Sequence, residues 1–290
     1  MSTQSKPPSA DKKSVIPLLE PCLHGNEWEY VRECIETGWV SSVGKFVDRF
    51  ESEFATWLGS SNAVAVSSGT AALHLALLVA GVRPGDKVIV PTLTFIAPVN
   101  AIRYCGASPV FIDSEPDYWQ MDIAQVEEYL TTKCRIENRE TYEVSSGSRV
   151  SAVLPVHILG HPVDMDPLLD LTKRYNLRVI EDATESLGAK YKSTNVGLLG
   201  DIACFSFNGN KLITTGGGGM LVTENSSWAR HARHLSTQAK ADPIEYIHDE
   251  IGYNYRMTNV QAALGCAQLE EVEEFLLFKH RIRQEYEKSL

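Results

Sequence analysis

From Asn62 onward, short runs of apolar and often β-branched residues recur, each followed by residues with helical spacing, and this alternation admits few folds. The runs cover residues 63–66, 87–90, 108–112, 150–157, 178–181, 202–207 and 219–223, with helices predicted from Thr70 and from about Ile96. Strands that are apolar almost throughout are buried on both faces, and helices between them act as crossovers. An α/β fold follows, with a mainly parallel central sheet and helices on both faces. At 290 residues and 43% hydrophobic content the chain can bury a substantial core.

Other segments frame this region. Residues 1–14 are polar, rich in Ser, Pro and Lys, and are expected to be disordered. Residues 26–58 have helical periodicity broken at Gly38 and Gly44, with Trp39-Val40-Ser41-Ser42 as a loop between two helices. Residues 131–149 turn polar and read as a surface excursion without function. After Thr258 one long amphipathic helix is expected over residues 259–290, with no Gly cap or Pro stop. The division is thus 1–14, a large domain over 15–258, and a helix over 259–290.

With 27 Lys plus Arg against 37 Asp plus Glu, the net charge is −10 and no basic stripe exists, so nucleic acid and anionic membrane are poor partners. The longest apolar stretch, near residues 71–82, is interrupted by His74 and is too short to span a bilayer. No secretory signal is visible, and a cytoplasmic location is expected. The six cysteines form no Cys-x-x-Cys pair and read as reduced thiols. The pairs His157/His161 and His231/His234 lack the neighbouring Glu of a zinc-hydrolase motif, so they are expected to be structural and no metal is assigned.

In open α/β sheets, ligands lie at the carboxyl ends of the strands. Four features follow strands here. Ser67-Ser68-Gly69-Thr70-Ala71-Ala72 is a small-residue turn opening a helix: an anion site or an ordinary capped turn. Pro91-Thr92-Leu93-Thr94-Phe95 places a ring at the sheet edge, either to stack on a flat ligand or to fill core. Glu181-Asp182 places a carboxylate there, which could hold a proton on a heterocyclic nitrogen, cap a helix or bind a metal. In Asn208-Gly209-Asn210-Lys211, a lysine sits in a Gly-rich turn where its ammonium calls for a charged partner, and such a lysine is a natural Schiff-base former. Two nucleotide motifs fail. Residues 216–221 lack the third glycine of a dinucleotide fingerprint and precede a strand, and residues 38–46 have the wrong spacing for a P-loop, with Phe46 in place of Ser or Thr.

Anion cradle, ring, carboxylate and lysine together fit pyridoxal phosphate. The segments Ser67 through His74, Pro91 through Phe95, Val179-Ile180-Glu181-Asp182-Ala183, Ser206-Phe207 with Lys211 and Thr214-Thr215-Gly216, and Gly252-Tyr253-Asn254-Tyr255-Arg256-Met257 resemble the DegT/DnrJ/EryC1/StrS sugar-nucleotide aminotransferases. Within that family, Gly38 through Ser42 and Asn208 through Lys211 look most like LegC-type enzymes. The resemblance implies the large domain of a fold type I enzyme that depends on pyridoxal 5'-phosphate, with the long helix leading into a C-terminal small domain that is largely missing. It makes Lys211 the lysine that carries the cofactor, Asp182 the partner of the ring nitrogen, and Phe95 the stacked ring. Gly69, Thr70, Ala71 and Ser206 would hold the phosphate, Glu185 would flank the cofactor opposite Phe95, and Asn254 would reach the phosphate of the other subunit in a homodimer. The implied reaction moves an amino group from L-glutamate to a nucleotide-linked 4-keto-6-deoxy sugar. Dehydratases of the family carry histidine where Lys211 stands, so lysine favours transamination. The competing reading is an inactive, truncated homologue that dimerises or binds ligand without turnover.

Overall fold

The computed structural model describes residue 17, residues 19–242 and residues 244–290; the expected disorder of residues 1–14 lies outside the described residues. Two helices come first, α1 (Glu27–Thr37) and α2 (Lys45–Leu58), with the residues 38–44 break where the glycines predict it. The α/β region follows as β1 (Ala63–Val66), α3 (Gly69–Val79), β2 (Lys87–Pro91), α4 (Ile96–Tyr104), β3 (Ser108–Ile112) and α5 (Ile123–Lys133). It continues through β4 (Cys134–Glu137), β5 (Glu140–Glu143), β6 (Arg149–Val153), α6 (Met165–Tyr175), β7 (Arg178–Asp182), β8 (Lys190–Tyr191), β9 (Thr194–Asn195), β10 (Ile202–Ser206) and β11 (Gly219–Val222). The chain closes with α7 (Ser226–Ser236), β12 (Lys240–Asp242), β13 (Ile247–His248), α8 (Asn259–Glu270) and α9 (Val272–Ser289).

The main sheet runs in the order β1-β11-β10-β7-β6-β2-β3. Strands β10, β7, β6, β2 and β3 are parallel, and β11 runs against both its neighbours. The carboxyl ends of β1, β2, β7 and β10 therefore share an edge with the amino end of β11. Strands β1 and β11 are buried at every position, as the apolar runs require. Helix α3 is buried almost all round because it is sandwiched between the sheet and helices α4 and α7. On the opposite face Phe46, Phe50 and Phe54 of α2 pack with Phe205, Phe207 and Cys266 in a second core, and α5 and α6 cover a third.

Two expectations need correction. The polar stretch 131–149 is not merely a surface excursion. Its centre is a β4–β5 hairpin, with β5 paired to β6, so it extends the sheet. Arg135 and Glu137 of β4 are solvated, but two charges at the β5–β6 junction are tied to residues at the start of β2: Glu143 pairs with Lys87, and Arg149 pairs with Asp86 at 2.5 Å as well as with Glu140 at 3.0 Å. The single helix expected over 259–290 is two helices, broken at Glu271. Helix α8 starts with a capping box between Thr258 and Gln261 and packs against α1 and α2. Its last residue is tethered, since the Glu270 carboxylate accepts hydrogen bonds from Asn26, Tyr30 and Arg49, each 2.7 Å. Beyond that anchor only Val272 of α9 is buried.

Candidate active site

A cavity of about 350 Å³ opens at the shared strand edge. Its walls come from the starts of α3 and α4, the turns after β7 and β10, and the glycines before β11. Of the residues singled out from the sequence, Gly69, Thr70, Phe95, Asp182, Glu185, Ser206 and Lys211 line it. Ala71 does not, and its N–H donates to the Ser68 side chain at 3.1 Å, which caps α3. Asn254 is exposed, bridges to Thr237 in the backbone, and lies outside the lining.

The anion cradle is built by close backbone approach. First-turn N–H groups of a helix have no intrahelical acceptor and carry the positive end of its dipole. Around Gly69 the space is filled: a Cβ there would meet the Cβ of Ser206 at 2.9 Å and Thr184 Cγ2 at 3.2 Å. A Cβ on Gly219 would lie 2.5 Å from the Ser68 carbonyl. Only glycines let β10 and β11 press against the start of α3.

Adjacent carboxylates on β7 have opposite fates because successive side chains of a strand point to opposite faces. Glu181 is fully buried and consumed by the fold, accepting hydrogen bonds from Gly197 N–H at 2.9 Å, Leu199 N–H at 2.8 Å and Gly200 N–H at 2.6 Å. His157 Nε2 meets the same carboxylate at 3.1 Å, while its Nδ1 accepts from Val163 N–H, also at 3.1 Å. His157 is thereby structural, as expected, and His161 stacks on Tyr118 with centroids 4.8 Å apart. Asp182 faces the cavity, 3% exposed. It accepts a hydrogen bond from Thr184 N–H at 3.1 Å, and the Thr184 hydroxyl also bears on it. Burial pushes its carboxyl above the ordinary range, against the opposing pull of Thr184, His157 and Lys211. A buried, under-satisfied carboxyl of this kind calls for a cationic N–H donor from the cavity.

Lys211 lies in the loop that joins β10 to β11. Hydrogen bonds within the loop hold its backbone: Lys211 N–H donates to Asn208 at 3.0 Å and Thr215 N–H to Phe207 at 2.9 Å. Gln268 of α8, itself buried, ties the loop down by accepting from Thr214 N–H at 3.1 Å. The ammonium has the charged partner that its setting calls for, with Nζ 3.5 Å from Glu185 Oε1. Glu185 is oriented in turn by Leu159 N–H, 2.9 Å from Oε2. Phe95, 76% exposed, stands at the mouth of the cavity rather than in the core.

Several lining residues went unassigned in the sequence. Thr184 follows Asp182 by two positions and was within reach of the strand-end rule; Thr94, whose buried hydroxyl lacks a partner among the described residues, belongs to the same motif as Phe95. Gln268, which ties down the Lys211 loop from outside the cavity lining, carries no local signal, being 57 residues beyond Lys211.

These features suit pyridoxal phosphate. The cradle offers unpaired N–H groups to a phosphate, Asp182 offers an acceptor to a protonated ring nitrogen, and a lysine reaches the same space. Comparisons with known proteins agree. The sequence profile of the DegT/DnrJ/EryC1/StrS aminotransferase family matches residues 21–290. The chain is 46% identical over 275 residues to a GDP-perosamine synthase of Escherichia coli O157:H7, covering 95% of this chain and 71% of that protein. Among solved structures, the aminotransferase TlmJ of Streptoalloteichus hindustanus superposes with a TM-score of 0.85 at 30% identity, covering 95% of this chain and 71% of that one. A putative sugar aminotransferase of Streptococcus pneumoniae in its PLP form gives a TM-score of 0.82 at 26% identity, covering 94% and 71%. The chain belongs to the DegT/DnrJ/EryC1/StrS aminotransferase family and is a sugar aminotransferase dependent on pyridoxal phosphate.

Proposed function

We propose that this protein transfers the amino group of L-glutamate to a nucleotide-linked 4-keto-6-deoxy sugar, giving the 4-amino sugar. The observation that carries this reading is the convergence of Lys211, Asp182 and the α3 cradle on one cavity. Kinship with a protein named GDP-perosamine synthase supports a nucleotide-linked sugar, with the GDP-linked compound first to test.

Bound pyridoxal phosphate supplies an aldehyde carbon that takes up and returns an amino group, and a ring that accepts electrons. In this reading Lys211 would hold the group covalently, and its free amine would be the base that moves the proton at the donor's α-carbon. Asp182 holds the proton on the ring nitrogen. Gly69, Thr70 and Ser206 would bind the phosphate, and Phe95 and Glu185, which line the same cavity, would hold the ring. Ala71 contributes its N–H only when Ser68 gives it up. Asn254, exposed and away from its own cavity, serves the phosphate of a partner subunit in a homodimer.

The test is an absorbance spectrum of the cofactor-loaded protein before and after L-glutamate, alongside Lys211→Ala. The expected result is a visible band that shifts with glutamate and is absent in the variant, followed by formation of 2-oxoglutarate and an amino sugar when the keto-sugar nucleotide is added. A loaded protein whose band ignores glutamate but responds to another amine would overturn the donor. Turnover in Lys211→Ala at the parent rate would overturn the site.

A further inference from the structure

Arg256 lies two residues from Asn254 in the family motif, and the structure ties it into the fold. Its side chain is 8% exposed, is absent from the cavity lining, and is paired with Glu51 of α2. Glu51 is itself buried and receives three donors: Arg256, Arg233 of α7 at 2.9 Å, and the backbone N–H of Ala65 at 2.7 Å. With its charge met there, Arg256 has little left to offer a distant phosphate.

What it does instead is fasten residues 255–257 along the open side of β1. Arg256 bridges to Val66 in the backbone, its guanidinium donates to Ala65 O at 3.0 Å, and Tyr255 O accepts from Ser67 N–H at 2.7 Å. Ser67 is the last residue before Ser68, the cap of α3. On the other side of that turn, Gly219 presses against Ser68 and Gly69. The turn that aims the Gly69 and Thr70 N–H groups is therefore clamped between β11 and a segment whose register Arg256 and Glu51 set.

We propose that Arg256, held by Glu51, is the positioning residue of the anion cradle and acts on the phosphate of the cofactor without touching it. The inference rests on the assignment of that cradle to the phosphate, so its test separates the phosphate from the rest of the cofactor. Apo-protein of the parent, Arg256→Met, Arg256→Lys and Glu51→Gln is titrated with pyridoxal phosphate and with pyridoxal, which lacks the phosphate, and secondary structure is followed by circular dichroism. Misaligned donors to a charged group should raise the half-saturation concentration for pyridoxal phosphate by about tenfold or more in Arg256→Met. Pyridoxal binding should change less than about twofold, because it makes no charged contact to the cradle. Glu51→Gln should move the same way, and Arg256→Lys should lie between. Equal weakening of both ligands, or an unchanged ratio in Arg256→Met and Glu51→Gln, overturns the proposal. If Arg256→Met does not fold, the other two variants decide by the same ratio. A parent that does not prefer the phosphorylated ligand overturns the cradle assignment, and this inference with it.

Discussion

Glu181 keeps a carboxylate in the core because loop N–H groups and His157 surround it, whereas Asp182, one residue on, borders the cavity with its hydrogen bonding supplied by Thr184. Replacing the two should therefore have unlike effects. Asp182→Asn keeps the volume and the acceptor but loses the charge that holds a ring-nitrogen proton, so single-turnover rates with glutamate should fall by about 10²–10⁴-fold while the cofactor still binds. Glu181→Gln should instead lower the unfolding midpoint, and cofactor binding should follow stability only. Gly69→Ala tests close approach: the added Cβ meets Ser206 Cβ at 2.9 Å, and relieving such overpacking costs about 1–3 kcal/mol. Adding Ser206→Gly should recover part of that stability in denaturant titrations. The sequence showed that a carboxylate follows β7 but not which one faces the ligand, because period-two alternation fixes faces only once register is known. Ala71 was assigned to the phosphate by motif alone, and its N–H being taken by Ser68 is a matter of one rotamer that no motif records.

Element boundaries were legible where burial dictated them. The runs at 63–66 and 108–112 are strands with those bounds; the first is buried on both faces and has no polar face to blur its ends, while the second lies at the sheet's margin with Phe111 exposed. Legibility failed where polar residues find partners far along the chain, as at β5 and β6, where Glu143 pairs with Lys87 and Arg149 with Asp86. That hairpin has a pH signature. The ammonium of Lys87, with help from the Ser146, Ser145 and Tyr129 hydroxyls, holds the Glu143 carboxyl down to about 2, despite its burial. Its folded value lies below the ordinary value of about 4.3, so the stabilisation is complete above that pH and is lost as pH falls through about 2. Urea midpoints measured from pH 5 to pH 2 should fall less steeply in Glu143→Gln than in the parent. The two-helix ending escaped notice for a related reason: the apolar period continues through Glu271, and only the distant partners of Glu270 impose the break.

At the scale of the whole molecule, no helix among the described residues is long and apolar enough to cross a membrane. Exposed apolar side chains concentrate near the β12–β13 hairpin, where Ile244 and Ile251 are each 83% exposed, close in sequence to Asn254. The homodimer proposed above would cover such a surface, and sedimentation at rising concentration should show two-chain species. If Asn254 serves the partner, Asn254→Ala should weaken cofactor binding when chains are paired and leave binding unchanged at dilutions where the parent is monomeric. The family motifs revealed this residue, but its distance from its own cavity is a property of the folded chain, as is substrate identity: two short motifs resemble LegC-type enzymes, while a relative at 46% identity is named for a GDP-linked sugar. The clamped flank of β1 has one more consequence. Edge strands with free N–H and C=O groups are templates for adding strands from other chains, the first step toward fibrils. Here the groups of Ala63, Ala65 and Ser67 are taken by Arg233, Glu51, Arg256 and Tyr255, and β3 at the far end carries Pro109, which cannot donate. The flank of β1 is thereby closed to strand addition at these positions, and Pro109 removes one donor from β3.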